Sequence, residues 1–565
     1  MCCIIRRALP AVRVNSPNPA LVSQREAEPL PRLLLLLFCA AYVLPGVFGR
    51  DPWKSADITA FGYIVNIAHG KTSWFAPTVG GLPTADGALL PYWIGAVFVK
   101  AMPWLDPTLA ARIPFALLLG LTLALVWYAT YSLARGDSAQ PLPFAFGGEA
   151  APADYARAIA DGGLLAVIAS LGLLQLGHET TPDLAQLAAV SLYLYGVAAR
   201  SRRPLKGDIA AALALPILAA SGAPSIALLL AGVGVAVSLV SRRPGWGRQI
   251  AFIVGGAALA VAAASLLGAW ANRLGNYRHG GQVVSLAQEI AWFTWPTWPL
   301  VLFTVWKWRR RLLDEHLAMP LGCTLMLLAV WIGMGGSNRA LMLALPPLAV
   351  LAAFALPTLE RSAAAAIDWF SVFFFTIAAA TGWAFYVAMQ TGTPAPLAAN
   401  VAKLSPGFQN NFSPLALAFA VAATVAWAWL VKWRTGRNRH PIWKSMVLPA
   451  GGVTLILVLV MTVLLPPIDN ARSYRSMVQR VARQIQQPDC ISTPGMARAQ
   501  IVALESQGGW RVDAVNPPGK SGCDILMLPR TRHPPDASWL FVARERRVRS
   551  EDDVIDIYRR AASAR

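Results

Sequence analysis

Residues 242–271 read RRPGWGRQIAFIVGGAALAVAAASLLGAWA, and no charged residue stands between Arg248 and Arg273. About 20 consecutive apolar residues cross a hydrocarbon core of about 30 Å. The run therefore spells a membrane-spanning helix, and the arginines that precede it mark its cytoplasmic end. Similar apolar segments recur from position 33 to position 465. The chain of 565 residues is 56% hydrophobic and 14% charged, with a mean hydropathy of +0.49. Soluble proteins carry about 25% charged residues, which excludes a water-soluble multidomain enzyme. The expected class is an all-α polytopic membrane protein.

Spans are expected over 33–49, 110–134, 158–177, 183–200, 208–222, 224–240, 248–271, 289–306, 317–335, 338–356, 366–388, 414–431 and 446–465. The net charge of +20, from 49 Lys+Arg against 29 Asp+Glu, would suggest a nucleic-acid partner in a soluble chain. Here much of the excess lies in five clusters: the N-terminus, Arg200–Lys206, Arg242–Arg248, Lys307–Arg311 and Lys432–Lys444. No nucleic acid is expected. Placing all five in the cytoplasm requires an even number of crossings between successive clusters. The thirteen spans satisfy this if 89–104, Pro-bounded and carrying Lys100, lies in the interface.

The expected organisation follows from that parity. Residues 1–32 form a cytoplasmic tail, and 33–465 a transmembrane domain whose first outer loop is 50–109. Residues 466–565 form a small soluble α/β domain on the outer side, with two helices, three strands and a terminal helix over Glu551–Ala561. The six cysteines are too scattered for a disulfide scaffold. In an oxidising compartment Cys490 and Cys523 either bond or remain buried thiols.

Ionisable groups on the outer side are sparse, so each is informative. Gly49–Tyr63 reads GRDPWKSADITAFGY, with Asp51 at the membrane boundary and Asp57, Phe61 and Ile64 at helical spacing. Asp51 before Pro52 is also a common helix start. Gly81–Trp93 (GLPTADGALLPYW) carries Asp86 and Tyr92. Gly177–Asp183 (GHETTPD) sets His178, Glu179 and Asp183 at membrane depth, where ionisable groups are costly and point to function. N-capping is the alternative for Asp183. Arg278 and His279 in NRLGNYRHGGQ, and Arg339 in the turn at Ser337, are cations against the positive-inside bias. They call for an anionic partner such as a phosphate, or for neighbouring acidic loops. His279 is a candidate metal ligand, and no phosphate-binding Gly-rich loop, HExxH or GxSxG motif occurs.

Asp51-Pro-Trp-Lys54-Ser-Ala-Asp57-Ile, followed by Gly81-Leu82-Pro83 and Leu90-Pro91-Tyr92-Trp93, resembles the first periplasmic loop of one family. These are the GT-C glycosyltransferases related to aminoarabinose transferase and the protein O-mannosyltransferases. The likeness extends loosely to Thr181–Asp183, to the run Pro346–Ala349, and to thirteen spans with a periplasmic C-terminal domain. Asp86-Gly87 stands where the family has Glu-Lys, Ser55 where it has Tyr.

The resemblance implies transfer of a sugar from a polyprenyl-phosphate donor to a cell-envelope acceptor at the periplasmic face of a bacterial inner membrane. The acceptor would be lipid A, another glycan or a protein. It implies Asp51 as catalytic carboxylate, with Asp183 and Asp86 in support. Lys54, Asp57, Tyr92, Arg278 and Arg339 would bind substrate, the cations holding phosphate, and His279 would hold a divalent metal ion. The rival is a transporter or flippase of a lipid-linked substrate, which would need ionisable residues deep within spans. Here Asp161 and Asp368 lie near span ends.

Overall fold

The computed structural model describes residues 18–561 except 242–244, 271–282, 409, 436–440, 486–487, 531, 535 and 548–552. Arg278 and His279 therefore lie outside the described residues. Among those described, eight helices are long and apolar enough to cross a membrane: Pro107–Ala134, Pro224–Ser241, Trp246–Leu266, Glu315–Gly333, Asn338–Thr358, Arg361–Thr391, Pro414–Thr435 and Lys444–Met461. The helices Arg32–Val43, Pro152–Ala169, Pro182–Ala199 and Pro204–Ala220 stand at four more of the expected spans.

Two expected spans take a different form. Residues 289–306 are divided into Val283–Phe293 and Thr297–Lys307. Pro296 supplies no N–H and disfavours helical backbone at Trp295, so the ladder stops there. The span expected to run to 177 ends at Ala169, and a separate turn, Leu173–Leu176, follows. That break releases His178–Thr181 from helical geometry, and these residues build part of the site described below.

Helix Asn338–Thr358 is almost wholly enclosed, whereas Arg361–Thr391 and Pro414–Thr435 leave most of their apolar surface bare, as lipid-facing helices do. Helix Pro182–Ala199 packs on Pro107–Ala134 and Pro204–Ala220. A Cβ at Gly196 would lie 2.4 Å from the backbone nitrogen of Ala211, so these helices meet backbone to backbone. Small residues allow that approach where lipid offers no hydrophobic drive.

The expected interfacial segment contains helix Leu89–Ala101, packed on the first-loop helix Ala56–Ala68 and on Pro107–Ala134. The C-terminal part holds a five-stranded sheet in the order Val512–Asp513, Ile491–Ser492, Ile525–Pro529, Val554–Arg560, Trp539–Arg546. Cys490 and Cys523 form a disulfide. The helix expected over Glu551–Ala561 is instead the strand Val554–Arg560, paired antiparallel on both sides. Ile555 and Ile557 alternate with partners across the sheet and are buried, and β-branched residues favour such a setting.

The C-terminal part docks on the first outer loop through close contacts. A Cβ at Gly62 would lie 2.3 Å from Val502 Cγ2 on helix Arg498–Ser506. Glu505 accepts from the Gly80 N–H at 2.9 Å and from Asn66 Nδ2 at 3.3 Å. Overpacking a contact of this kind costs about 1–3 kcal/mol. Gly62→Ala is expected to lower the unfolding midpoint and speed proteolytic release of the C-terminal part, and Val502→Ala in the same chain is expected to restore most of the loss. A single variant that unfolds and digests like wild type would contradict the docking.

Candidate active site

The site is built where four segments between the apolar helices converge: the first loop, the turn at 177–183, the turn at Ser337–Arg339 and the stretch after the last span. Its centre is an ion pair. Arg50 and Asp57 are 4% and 0% exposed, and Arg50 Nη1 donates to Asp57 Oδ2 at 2.6 Å. The Trp53 N–H donates to the same oxygen at 3.0 Å, closing the loop onto the helix start. The other oxygen, Oδ1, accepts from the Thr180 N–H at 2.8 Å and from the Thr180 hydroxyl. Arg50 in turn donates to the carbonyls of Gly46 and His178. Asp57 was expected to bind substrate; it is instead enclosed, and its recorded partners belong to the chain. Burial pushes its carboxyl up, but the charges of Arg50 and Arg112 and the Thr180 and Trp53 hydrogen bonds prevail and hold it well below the usual range.

Asp51 does not cap the first-loop helix, which begins at Ala56 with Ser55 before it. Its carboxylate reaches across 424 residues to Arg475, whose Nε donates at 2.7 Å and whose Nη2 donates to the second oxygen. Ser473 Oγ donates to it at 2.7 Å. Burial raises this carboxyl; the hydrogen bonds from Arg475 and Ser473 and the Arg475 charge outweigh burial and lower it below the ordinary value. Beside it, Asp469 Oδ1 accepts from the Asp51 N–H at 2.9 Å and from the Trp53 indole at 2.7 Å. Burial, then the charge of Asp51, push Asp469 up. Neighbouring carboxylates are thus driven apart, a pattern common at acid–base sites.

Arg339, expected to bind phosphate, pairs with acidic groups of the chain itself. Its Nη1 donates to Asp183 Oδ2 at 3.1 Å and to Thr181 Oγ1 at 3.3 Å, and its Nη2 pairs with Glu179. Asp183 lies in the first turn of helix Pro182–Ala199, whose N-cap is Thr181. Burial raises Glu179, the Arg339 charge opposes, and the charge of Asp57 adds to the rise. Lys54, expected to bind phosphate, makes an ion pair with Asp553 at 2.9 Å.

A cleft of about 380 Å³ opens between the first loop, the start of helix Pro182–Ala199 and the start of helix Arg498–Ser506, lined by Ser55, Thr59, Asp86, Tyr92, Asp183 and Arg498 among others. This is within the ~300–1,000 Å³ range of ligand pockets. Tyr92 donates its hydroxyl to Asp86 Oδ2 at 3.0 Å, and the Ala88 N–H donates to Asp86 Oδ1 at 3.1 Å. Of the expected site residues, Asp86, Asp183 and Tyr92 meet in the cleft, and Arg339 stands behind Asp183. Asp51, Asp57 and Lys54 do not line it. Among the described residues no three His, Cys, Asp or Glu side chains are grouped to hold a metal ion. The metal expectation falls on His279, so no step below runs through a metal.

Sequence reading passed over Arg50, Asp469, Arg475 and Arg498. The signal available for two of them was the polar run IDNARSYR (468–475) at the membrane edge, which read as the start of a separate domain.

Asp57 provides a direct test of the central pair. Its folded pKa lies below the unfolded one, so it adds stability above the usual carboxylate range. That stability is lost as the pH falls toward about 2. Asp57→Asn leaves Arg50 buried without its counter-charge, a loss of about 3–5 kcal/mol at pH 7. Unfolding of the purified protein between pH 3 and pH 7 is expected to show this loss, with a shallower acid limb in the variant. Equal stability of the two proteins at pH 7 would refute the role given to the pair.

No family model matches the chain, and no curated protein matches it by sequence. Two solved structures resemble it over nearly their whole length. ArnT from Cupriavidus metallidurans bound to undecaprenyl phosphate aligns with a TM-score of 0.63 at 13% identity, covering 94% of this chain and 98% of that one. The apo state of the same protein aligns with a TM-score of 0.62 at 14% identity, covering 93% and 98%. The chain is a multi-pass membrane protein with the GT-C fold of ArnT and a small C-terminal sheet.

Proposed function

We propose that the chain is an integral-membrane glycosyltransferase. It moves a sugar from a polyprenyl-phosphate donor to a cell-envelope acceptor (a lipid such as lipid A, a glycan or a protein) at the periplasmic face of a bacterial inner membrane. The observation that carries this reading is the outer cleft. Two carboxylates from separate segments, Asp86 and Asp183, share it with Tyr92 and Arg498. The fold is that of a protein solved with undecaprenyl phosphate bound, which agrees with a lipid-phosphate donor.

The chemistry suits these groups. The acceptor oxygen forms a bond to the anomeric carbon as the bond from that carbon to the phosphate oxygen breaks. The polyprenyl phosphate leaves with the electron pair, and the acceptor proton passes to a carboxylate. Asp86 or Asp183, in the cleft, is the acceptor of that proton. The leaving group is already anionic, so cations stabilise it better than a general acid would. Asp51, held ionised by Arg475 and Ser473, acts as an orienting carboxylate that fixes Arg475. The transporter reading receives no support from Asp161 or Asp368. Asp161 accepts from the Trp127 indole and the Leu30 N–H, both at 2.8 Å, and Asp368 pairs with Arg434 at 2.6 Å.

Purified protein in lipid, incubated with polyprenyl-phosphate sugars, is expected to consume donor. The double variant Asp86→Asn/Asp183→Asn is expected to slow that turnover by about 100-fold, the lower bound for a positioned acid–base group, and Asp51→Asn to slow it less. Failure of wild type to consume any such donor, or variants as fast as wild type, would overturn the assignment.

A further inference from the structure

We propose that Arg498, carried by the C-terminal part, grips the phosphate of the lipid-linked donor in the outer cleft, so that the membrane domain alone does not make a complete donor site. This rests on the glycosyltransferase reading of the cleft. The argument begins with charge. Asp86 and Asp183 both line the cleft, and an anionic phosphate entering beside them is repelled unless a cation stands opposite. Among the described residues that line the cleft, Arg498 is the one Lys or Arg.

Four nearby cations are already matched, and Arg112 and Arg472, which have no ion pair among the described residues, do not line the cleft. Arg50 pairs with Asp57, Lys54 with Asp553, Arg339 with Glu179 and Asp183, and Arg475 with Asp51. Arg498 has no ion pair among the described residues; its Nε donates to a neutral acceptor, the Pro83 carbonyl, at 3.2 Å, and its guanidinium also hydrogen-bonds the neutral Tyr63 hydroxyl. These neutral tethers anchor the guanidinium beside the Gly81–Pro83 segment and leave its charge unpaired, with further N–H donors of the kind a phosphate takes. Pro83 also accepts from the Tyr63 hydroxyl at 3.0 Å, and the Tyr63 and Tyr92 rings lie 5.2 Å apart. The arginine therefore stands beside a firm aromatic wall. Its helix is fixed on the first loop by the Gly62–Val502 approach.

The test uses the full chain in phosphatidylcholine nanodiscs, with undecaprenyl phosphate as probe and native mass spectrometry as readout. Wild type is expected to bind the lipid. Arg498→Gln is expected to bind about tenfold more weakly, the scale of a lost charge-assisted hydrogen bond. Arg498→Lys should fall between them. Arg511→Gln, on an exposed arginine outside the cleft lining, should bind as wild type and serves as control. An unchanged unfolding midpoint for Arg498→Gln separates lost binding from lost folding.

Equal binding by Arg498→Gln and wild type overturns the proposal, and donor turnover by wild type would still support the enzyme. Conversely, binding that depends on Arg498 without turnover of any sugar donor upholds the phosphate grip and strikes the transfer reaction. Inorganic phosphate that binds at the same residue while the lipid does not would overturn the lipid assignment.

Discussion

The candidate site depends on one enclosed ion pair, Arg50 with Asp57. Taking two such charges out of water costs several kcal/mol per ion, and only close geometry with further hydrogen bonds offsets that. Asp57 meets the condition with donors from Arg50, Trp53 and Thr180. Arg50 meets it with the carbonyls of Gly46 and His178 as well. The pair thus joins the end of the first apolar helix, the first-loop helix and the turn at 177–183. Remove either member and the other loses its direct counter-charge, so the three segments are expected to loosen together.

Around that joint the acidic groups divide by environment. Asp51 and Asp57, against arginines, are held down. Asp469 and Glu179, buried and close to those same charges, are pushed up. A chain that holds some carboxylates down as orienters and pushes others up sets its acidic groups apart for different roles. In the proposed arrangement Asp86, Asp183 and Tyr92, which line the cleft, are the residues that would touch substrate, with the buried pairs behind them. The C-terminal part is coupled to this framework at several points. Lys54–Asp553, Asp51–Arg475 and the Glu505 bonds to the first loop all cross from one to the other.

Much of this was legible in the sequence, for definable reasons. Apolar length is a local property, so the membrane class could be read directly, and GRDPWKSAD, GLPTADG and GHETTPD stood out as polar segments between apolar runs. Asp183 and Arg339 could each be singled out, but their meeting spans 156 residues and leaves no trace in either segment. The partner of Asp51 is 424 residues away for the same reason. Reading Asp51 as a helix cap failed because the helix starts at Ala56, beyond the reach of Pro52. The last strand was misread because VIDIYRR is short enough to fit either period, and only its two flanking partners decide for the sheet. Pro296 was visible, yet an apolar run of 18 residues hides a helix break when only its length is counted.

The account stands on the outer cleft as the donor site, and a structure of the full chain in lipid with polyprenyl phosphate tests that most directly. Density for the phosphate between Asp86, Asp183 and Arg498, with the tail running into the bilayer, is the predicted result. A saturated complex with an empty cleft and the phosphate bound elsewhere, such as at Arg202 and Arg203 on the cytoplasmic side, would contradict it.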